Sequence, residues 1–137
     1  SRQRRTTAGS RATHGMTRGQ LPNRIRRGDV VWVDDPFGFG ADETDDPDDH
    51  PYLIINTDAH PFHGTEYLAM LITTTERDEA IGAQETDWEY GSLSKPSYIS
   101  PWTVVTVKDS ALFGYQGQLE PAVVDTAVEQ LPPYVGL

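Results

Sequence analysis

The sequence contains no cysteine, so disulfide bonds and cysteine-ligated metal sites are excluded. Its longest apolar runs, Tyr52–Ile55 and Tyr67–Ile72, are far shorter than the ~20 residues that a membrane-spanning helix needs. Basic side chains are scarce after residue 27: that part of the chain contains three of them and all 21 carboxylates. We therefore do not expect the folded part of the chain to present the broad basic face that usually attracts nucleic acid.

The 137 residues divide into two parts of opposite charge. Residues 1–27 hold eight of the 11 basic side chains and no carboxylate, although the formal net charge of the chain is −10. The remainder is poor in lysine and rich in carboxylates, which is typical of proteins that work in concentrated salt, where a Debye length of ~3 Å at 1 M screens their self-repulsion. We expect a halophilic source, with an ordinary acidic domain as the alternative.

Residues 1–25 are expected to form a disordered basic extension, followed by a domain over residues 26–137. The extension is rich in Arg, Ser, Thr and Gly and has little to bury. It lacks the apolar region of a secretory signal. One interpretation takes Met16 as a natural start and residues 1–15 as an added segment. The other is an arm whose arginines contact nucleic-acid phosphates.

Short runs of β-branched and aromatic residues predict five or six strands and one C-terminal helix. The predicted strands are Asp29–Asp34, Tyr52–Asn56, Tyr67–Thr74, Ser97–Ser100 and Trp102–Lys108, with a brief pairing at Gln118–Leu119. From Pro121 onward, apolar residues recur at helical spacing until Pro132 and Pro133 end the pattern. Since strands and helices do not alternate, a small antiparallel barrel or curled sheet is predicted.

A long acidic loop, residues 35–49, is predicted between the first two strands. It contains two prolines and two glycines and shows no periodicity. A loop of this length in a compact domain tends to be functional or mobile. Phe37 and Phe39 have no periodic reason to be buried, so they are candidates to stack on unpaired bases, each stack being worth ~1 to 3 kcal/mol. Packing of the two rings against the barrel is the alternative.

Four segments in order carry a family resemblance. They are RRGDVVWVDD (residues 26–35), HPYLIINTDA (50–59), LAMLITTT (68–75) and the stretch from SYISPW to VEQL (97–131). Their order and spacing resemble those of the MazF/PemK family of toxin endoribonucleases. The resemblance implies a mainly β fold, a small SH3-like antiparallel barrel of the CcdB/PemK/MazF kind with a C-terminal helix. It also implies a cytoplasmic homodimer that cleaves single-stranded RNA without a metal or other cofactor and is neutralised by an antitoxin protein.

The same resemblance implies a set of site residues. Thr73 falls on the catalytic threonine of the family, and Asp42 falls on its loop glutamate. His50 stands where the family has a catalytic arginine, which is a departure from the family pattern. A polar, glutamine-like position of the family has no clean equivalent here, and Thr103 is its nearest match. Thr103 and Thr74 are expected RNA contacts, in addition to the loop rings Phe37 and Phe39.

The implied residues suit cleavage of RNA by its own 2′-hydroxyl group. That reaction needs a base, an acid for the leaving 5′-oxygen and donors for the charge that develops on the phosphate. His50 could serve as a cation or as a base, because histidine titrates near neutral pH. The aspartates beside it would favour imidazolium if the loop folds back on it. Thr73 would donate a hydrogen bond to a phosphoryl oxygen.

Two other interpretations stay open. In one, the histidine at position 50 marks lost chemistry, and the protein is a catalytically degenerate module that binds DNA, RNA or a peptide. In the other, the acidic stretch 42–49 holds a hard cation for a metal-dependent nuclease. His60 and His63 have the spacing of a zinc pair, but Pro61 lies between them and no third ligand is evident, so a surface turn is expected there.

Overall fold

The computed structural model describes residues 19–34 and 50–137. In that part of the chain seven strands form one antiparallel sheet in the order β4-β6-β3-β2-β1-β7-β5. The strands are β1 (Asp29–Val33), β2 (His50–Ile54), β3 (Glu66–Thr73), β4 (Ile81–Ala83), β5 (Trp88–Gly91), β6 (Ser97–Lys108) and β7 (Leu112–Leu119). Two helices follow, α1 (Pro121–Glu129) and α2 (Leu131–Tyr134). The predicted mainly β barrel with a C-terminal helix is confirmed.

The sheet curls into a nearly closed barrel and carries a hydrophobic core on each face. Side chains at alternate strand positions form one cluster, which includes Val31, Val33, Tyr52, Ile54 and Leu71. The intervening positions form the second cluster, in which α1 and both edge strands also take part. Continuous apolar runs in the central strands follow from this arrangement, because those strands are covered on both faces.

The structure differs from the predicted strands in three places. The polar stretch after Thr75 contains the short edge strands β4 and β5, which have no strong apolar pattern of their own. Pro101 does not divide β6; it lies at an irregularity of the β3–β6 pairing, between the pairs Ile72–Ile99 and Met70–Val104, where a missing N–H is tolerated. The pairing predicted at Gln118–Leu119 extends over all of β7.

The segment before β1 also differs from the predicted extension. Gly19 exchanges two backbone hydrogen bonds with Tyr115 of β7, at 2.8 and 3.0 Å. Ile25 is 1% exposed and belongs to the first core cluster. Residues 19–25 therefore pack on the barrel because they supply an apolar anchor, and residues 1–18 lie outside the described part.

The predicted helix begins at Pro121, where proline is tolerated because the first-turn N–H has no helical partner. Val124 and Ala127 bury one face of α1 in the second core cluster. Pro132 and Pro133 end that helix as predicted, yet they also occupy the first turn of α2.

Candidate active site

His50 is the first residue of β2 and is 5% exposed. It stands two positions before Tyr52 and four before Ile54, so it continues the alternation of the first core cluster. Among the described residues its buried Nε2 atom has no hydrogen-bond partner. Leaving a buried polar atom unpaired costs roughly 1–3 kcal/mol, so such an atom calls for a functional explanation.

Thr73 is the last residue of β3 and is partly exposed. Its Oγ1 accepts a hydrogen bond of 3.1 Å from the backbone N–H of Thr75, which orients the hydroxyl group. Because that bond uses an oxygen lone pair, the hydroxyl proton stays available for donation. Tyr98 of β6 lies directly across from Thr73 in the sheet.

Strand pairing brings His50 and Thr73 to the same end of the barrel. β2 and β3 are antiparallel neighbours with Tyr52 opposite Leu71. Continuing that register by two residues brings His50 level with Thr73. Opposed residues of an antiparallel pair share a face of the sheet, so the imidazole and the hydroxyl group lie on one face. We call this end of the barrel, defined by His50, Thr73 and Tyr98, the histidine end.

Of the remaining implied residues, two lie in the described part of the chain and three lie outside it. Thr74 is exposed and directly follows Thr73. Thr103 is partly exposed on β6, one residue before Val104, which pairs with Met70; this puts it nearer the middle of β3. Asp42, Phe37 and Phe39 belong to loop 35–49, which lies outside the described residues.

Two cations that the sequence could not assign to a site lie at the histidine end. Arg77 is in the connection that leaves β3, and Lys95 is in the connection that enters β6. Thr73, the last residue of β3, pairs with Tyr98 near the start of β6. The connection that leaves β3 and the connection that enters β6 therefore meet the barrel at the same end. Both side chains are exposed, so they are available to phosphate groups. The only sequence signal for them was the scarcity of basic residues after position 27.

In the part of the chain that the structure describes, no three His, Asp or Glu side chains come close enough to hold a metal ion. His60 and His63 lie in the turn between β2 and β3, where the N–H of His63 bonds to the carbonyl of His60 at 3.1 Å. The predicted surface turn is therefore present. No helix within the described ranges is long and apolar enough to cross a membrane.

Asp29 and Tyr115, whose pKa values are raised, lie at the opposite end of the barrel. Burial raises the pKa of Asp29, although hydrogen bonds from the Arg26 backbone and Tyr115, the positive charge of Arg26 and a hydrogen bond from Gln118 oppose the effect. Burial also raises the pKa of Tyr115, with further contributions from its neighbours Tyr90 and Asp29. The Tyr115 hydroxyl therefore stays protonated and donates to Asp29 Oδ1 at 3.1 Å.

A family model described as "PemK-like, MazF-like toxin of type II toxin-antitoxin system" matches residues 26–134. None of the curated proteins compared with the chain matches it significantly.

Solved structures with a similar fold include an endoribonuclease from a mycobacterial species, with a TM-score of 0.63 and 22% identity over 85% of this chain and 96% of that one. Another is an endoribonuclease in complex with its cognate antitoxin, also mycobacterial, with a TM-score of 0.62, 21% identity, and coverage of 85% and 97%. The MazE–MazF structure (Form-I) from Deinococcus radiodurans gives a TM-score of 0.60, 12% identity, and coverage of 85% and 100%. At these identities the likeness establishes the fold.

Proposed function

Because the chain belongs to the PemK-like, MazF-like toxin family of type II toxin-antitoxin systems, we propose that it cleaves single-stranded RNA at the histidine end, without a metal ion. The observation that carries this proposal is the buried Nε2 of His50, which has no hydrogen-bond partner in the described part of the chain and lies at the same strand end as Thr73. An imidazole nitrogen with no partner among the described residues, at the same strand end as an oriented hydroxyl group, is suited to proton transfer next to a phosphate.

In the proposed reaction the 2′-oxygen of one nucleotide forms a bond to the adjacent phosphorus, and the bond from phosphorus to the 5′-oxygen breaks. One group takes the proton of the 2′-hydroxyl and another gives a proton to the leaving 5′-oxygen. His50 supplies one of these roles through Nε2, and Asp42 is the candidate for the other. The products are a 2′,3′-cyclic phosphate and a 5′-hydroxyl group.

Thr73 and the two cations of the histidine end act on the charge of the phosphate. The Thr73 hydroxyl donates to a phosphoryl oxygen while its Oγ1 is held by the Thr75 N–H. A preorganised donor of this kind typically contributes ~10²-fold or more to the rate. Arg77 and Lys95 supply positive charge that the family pattern would have drawn from the arginine replaced by His50.

The proposal extends to the partners and the location of the protein. A relative of similar fold was solved as an endoribonuclease with its cognate antitoxin. Here we propose a cytoplasmic homodimer that is neutralised by an antitoxin segment laid over the RNA-binding surface. The proposed RNA contacts are Phe37, Phe39, Thr74 and Thr103.

The decisive experiment incubates the purified protein with mixed-sequence RNA in high salt and a chelator. Cuts that end in 2′,3′-cyclic phosphates, and that are lost in His50→Ala, are expected. Lys108→Gln, an exposed change far from the histidine end, serves as the matched control and should cut normally. Cleavage that depends on added Mg²⁺, or intact RNA at every salt concentration, would refute the proposal.

A further inference from the structure

A second candidate site lies at the end of the barrel opposite to the histidine end. A cavity of about 760 Å³ opens there between residues 24–27 and the β2–β3 turn. Its lining includes Arg24, Arg26, Arg27, His63 and Tyr67, and we call it the arginine pocket. Its volume falls in the range of cavities that bind small molecules or parts of larger ligands. The eight residues of β3 separate the two ends by about 25 Å.

The arginine pocket concentrates positive charge on an otherwise acidic surface. The described residues contain six basic side chains and 14 carboxylates, and three of those six line this cavity. Two carboxylates, Asp58 and Asp109, also line it. Asp109 Oδ1 accepts a hydrogen bond of 2.9 Å from the Tyr67 hydroxyl. The lining therefore carries three arginines and two carboxylates, in contrast to the acidic remainder of the described chain, which favours a phosphate group here over other places on that surface.

Two of the three arginines are exposed and make few contacts within the described part of the chain. Arg24 and Arg26 flank Ile25, which is buried in the first core cluster, and both arginines are exposed. Arg24 makes no hydrogen bond or ion pair within the described part of the chain, and the guanidinium of Arg26 has a single long contact, 3.4 Å, with the Tyr90 hydroxyl. Arg27 instead binds the Ile55 carbonyl at 2.7 Å and Asp125 at 2.6 Å, so it forms a fixed wall.

The backbone that carries these arginines is held in place. The Arg26 N–H donates to Asp29 Oδ2 at 2.7 Å, and the Asp29 N–H donates to the Arg26 carbonyl at 3.0 Å. Gly28, at φ +97°, allows the tight turn between them. Arg26 and Arg27 are therefore carried by a backbone turn that hydrogen bonds hold in place, so binding does not have to order that backbone.

His63 faces the same cavity in a defined orientation. The buried Asn56 accepts the Leu68 N–H through Oδ1 at 2.9 Å, which fixes its amide group so that Nδ2 faces His63 Nδ1 at 3.2 Å. Nδ1 is thus an acceptor, and the proton of a neutral ring is on Nε2, where it can be donated. The His63 ring also packs edge-on against Tyr67, with centroids 5.3 Å apart.

An aromatic ring next to the pocket favours nucleic acid over a simple anion. Phe62 directly precedes His63 and is 60% exposed. The turn that carries it is held by bonds from the Thr65 and Glu66 N–H groups to the Phe62 carbonyl, at 2.9 and 3.0 Å. The ring packs edge-on against His60, with centroids 6.3 Å apart, and its neighbour His63 lines the pocket. Aromatic rings combined with cationic side chains are the usual means of binding bases and phosphates of single-stranded RNA.

We propose that the arginine pocket binds a nucleotide of single-stranded RNA, with Arg24, Arg26 and His63 on the phosphate and Phe62 stacked on a base. This exosite rests on the proposed function for its choice of RNA as the ligand. It holds the substrate about 25 Å from the cleaved linkage, so it acts only on RNA long enough to reach both ends.

The test measures binding of a 2′-O-methyl RNA, which cannot be cleaved, by fluorescence anisotropy over a range of salt concentrations. Arg24→Gln with Arg26→Gln removes two phosphate contacts, so the slope of log affinity against log salt should become shallower by roughly 1.4. Phe62→Ala should weaken binding about fivefold or more without changing that slope. Lys108→Gln removes one exposed charge outside the pocket. It leaves the arginines and Phe62 unchanged, so the phosphate and stacking contacts with RNA should stay intact.

A gain-of-binding variant guards against loss through misfolding. Asp58→Asn removes a negative charge from the pocket wall and should tighten RNA binding severalfold at low salt. Unchanged affinity and salt slope in the double arginine variant would overturn the proposal. So would binding of adenosine monophosphate or inorganic phosphate in the pocket with no effect of the arginines on RNA.

A kinetic arm separates this exosite from the cleavage site. In the double arginine variant the KM for long RNA should rise, while kcat, and the KM for an RNA too short to span both ends, should stay unchanged. A fall in kcat on the short RNA would place the arginines in the reaction itself and overturn the exosite. If the wild-type protein cleaves no RNA, the proposed function fails, but the anisotropy result still decides whether the pocket binds RNA.

Discussion

Replacing His50 by an apolar residue should make the protein more stable and less active at the same time. His50→Leu keeps a side chain of similar volume and removes the buried Nε2 atom, which has no partner among the described residues. The unpaired atom costs roughly 1–3 kcal/mol, so the free energy of unfolding should rise by up to about that amount. In contrast, His50→Ala leaves a void in the first core cluster and should not give this gain.

The loss of activity follows from the same atom. A positioned proton-transfer group usually contributes ~10²- to 10⁴-fold to the rate, so both variants should lose cleavage by about that factor. Urea unfolding measures the stability, and initial rates on a fluorogenic RNA in high salt with a chelator measure the activity. The two assays together test a trade-off that a merely structural histidine would not show.

Two results would refute this reasoning. Full activity of His50→Leu would remove His50 from the reaction. A variant that is less stable than the wild type would mean that Nε2 is paired in solution, and the argument from an unsatisfied atom would fail. Tyr98→Phe, which changes a neighbouring side chain at the histidine end without touching Nε2, is the matched control for the stability measurement.

Three further predictions follow from particular residues. Thr73→Val should lower kcat about 100-fold or more with little change in stability, because it removes a donor from a partly exposed position; single-turnover cleavage measures this, and a change confined to KM would contradict it. Because the pKa of Asp29 is raised in the folded state, its contribution to stability is greatest below the ordinary carboxyl pKa and is lost as the pH rises through the raised value. Asp29→Asn should therefore lose this component of the pH dependence in urea unfolding between acidic and neutral pH, and an unchanged profile would argue against the shift. The excess of carboxylates predicts that the melting temperature rises with KCl concentration; a flat or falling dependence would count against adaptation to high salt.

Local patterns were sufficient for the strands of the barrel centre and for α1. Tyr52–Ile54 and Tyr67–Ile72 are continuous apolar runs because those strands are covered on both faces, and Pro121 marks the first turn of the helix. The sequence pattern did not predict the edge strands β4 and β5, because their formation depends on pairing with β6 and β7 rather than on their own side chains. The burial of Ile25 was not predicted, because a single apolar residue in an arginine-rich segment gives no periodic signal.

The family resemblance pointed to His50 and Thr73, and the sequence alone placed each next to a recognisable strand boundary. Nothing in the local sequence could show that Asn56 orients His63, because those residues meet only when the β2–β3 turn closes. The same holds for Arg24, which the sequence predicted to lie in a disordered basic extension, whereas the buried Ile25 anchors this segment on the barrel.

What the sequence determined by itself is the kind of fold and the residue types available for chemistry, because apolar periodicity and turn residues act over a few neighbouring positions. The tertiary structure decided where those residues stand. Antiparallel pairing of strands far apart in the chain sends His50, Thr73, Arg77 and Lys95 to one end of the barrel and Arg24, Arg26 and His63 to the other. That sorting depends on strand order and register, which are set by contacts between distant segments.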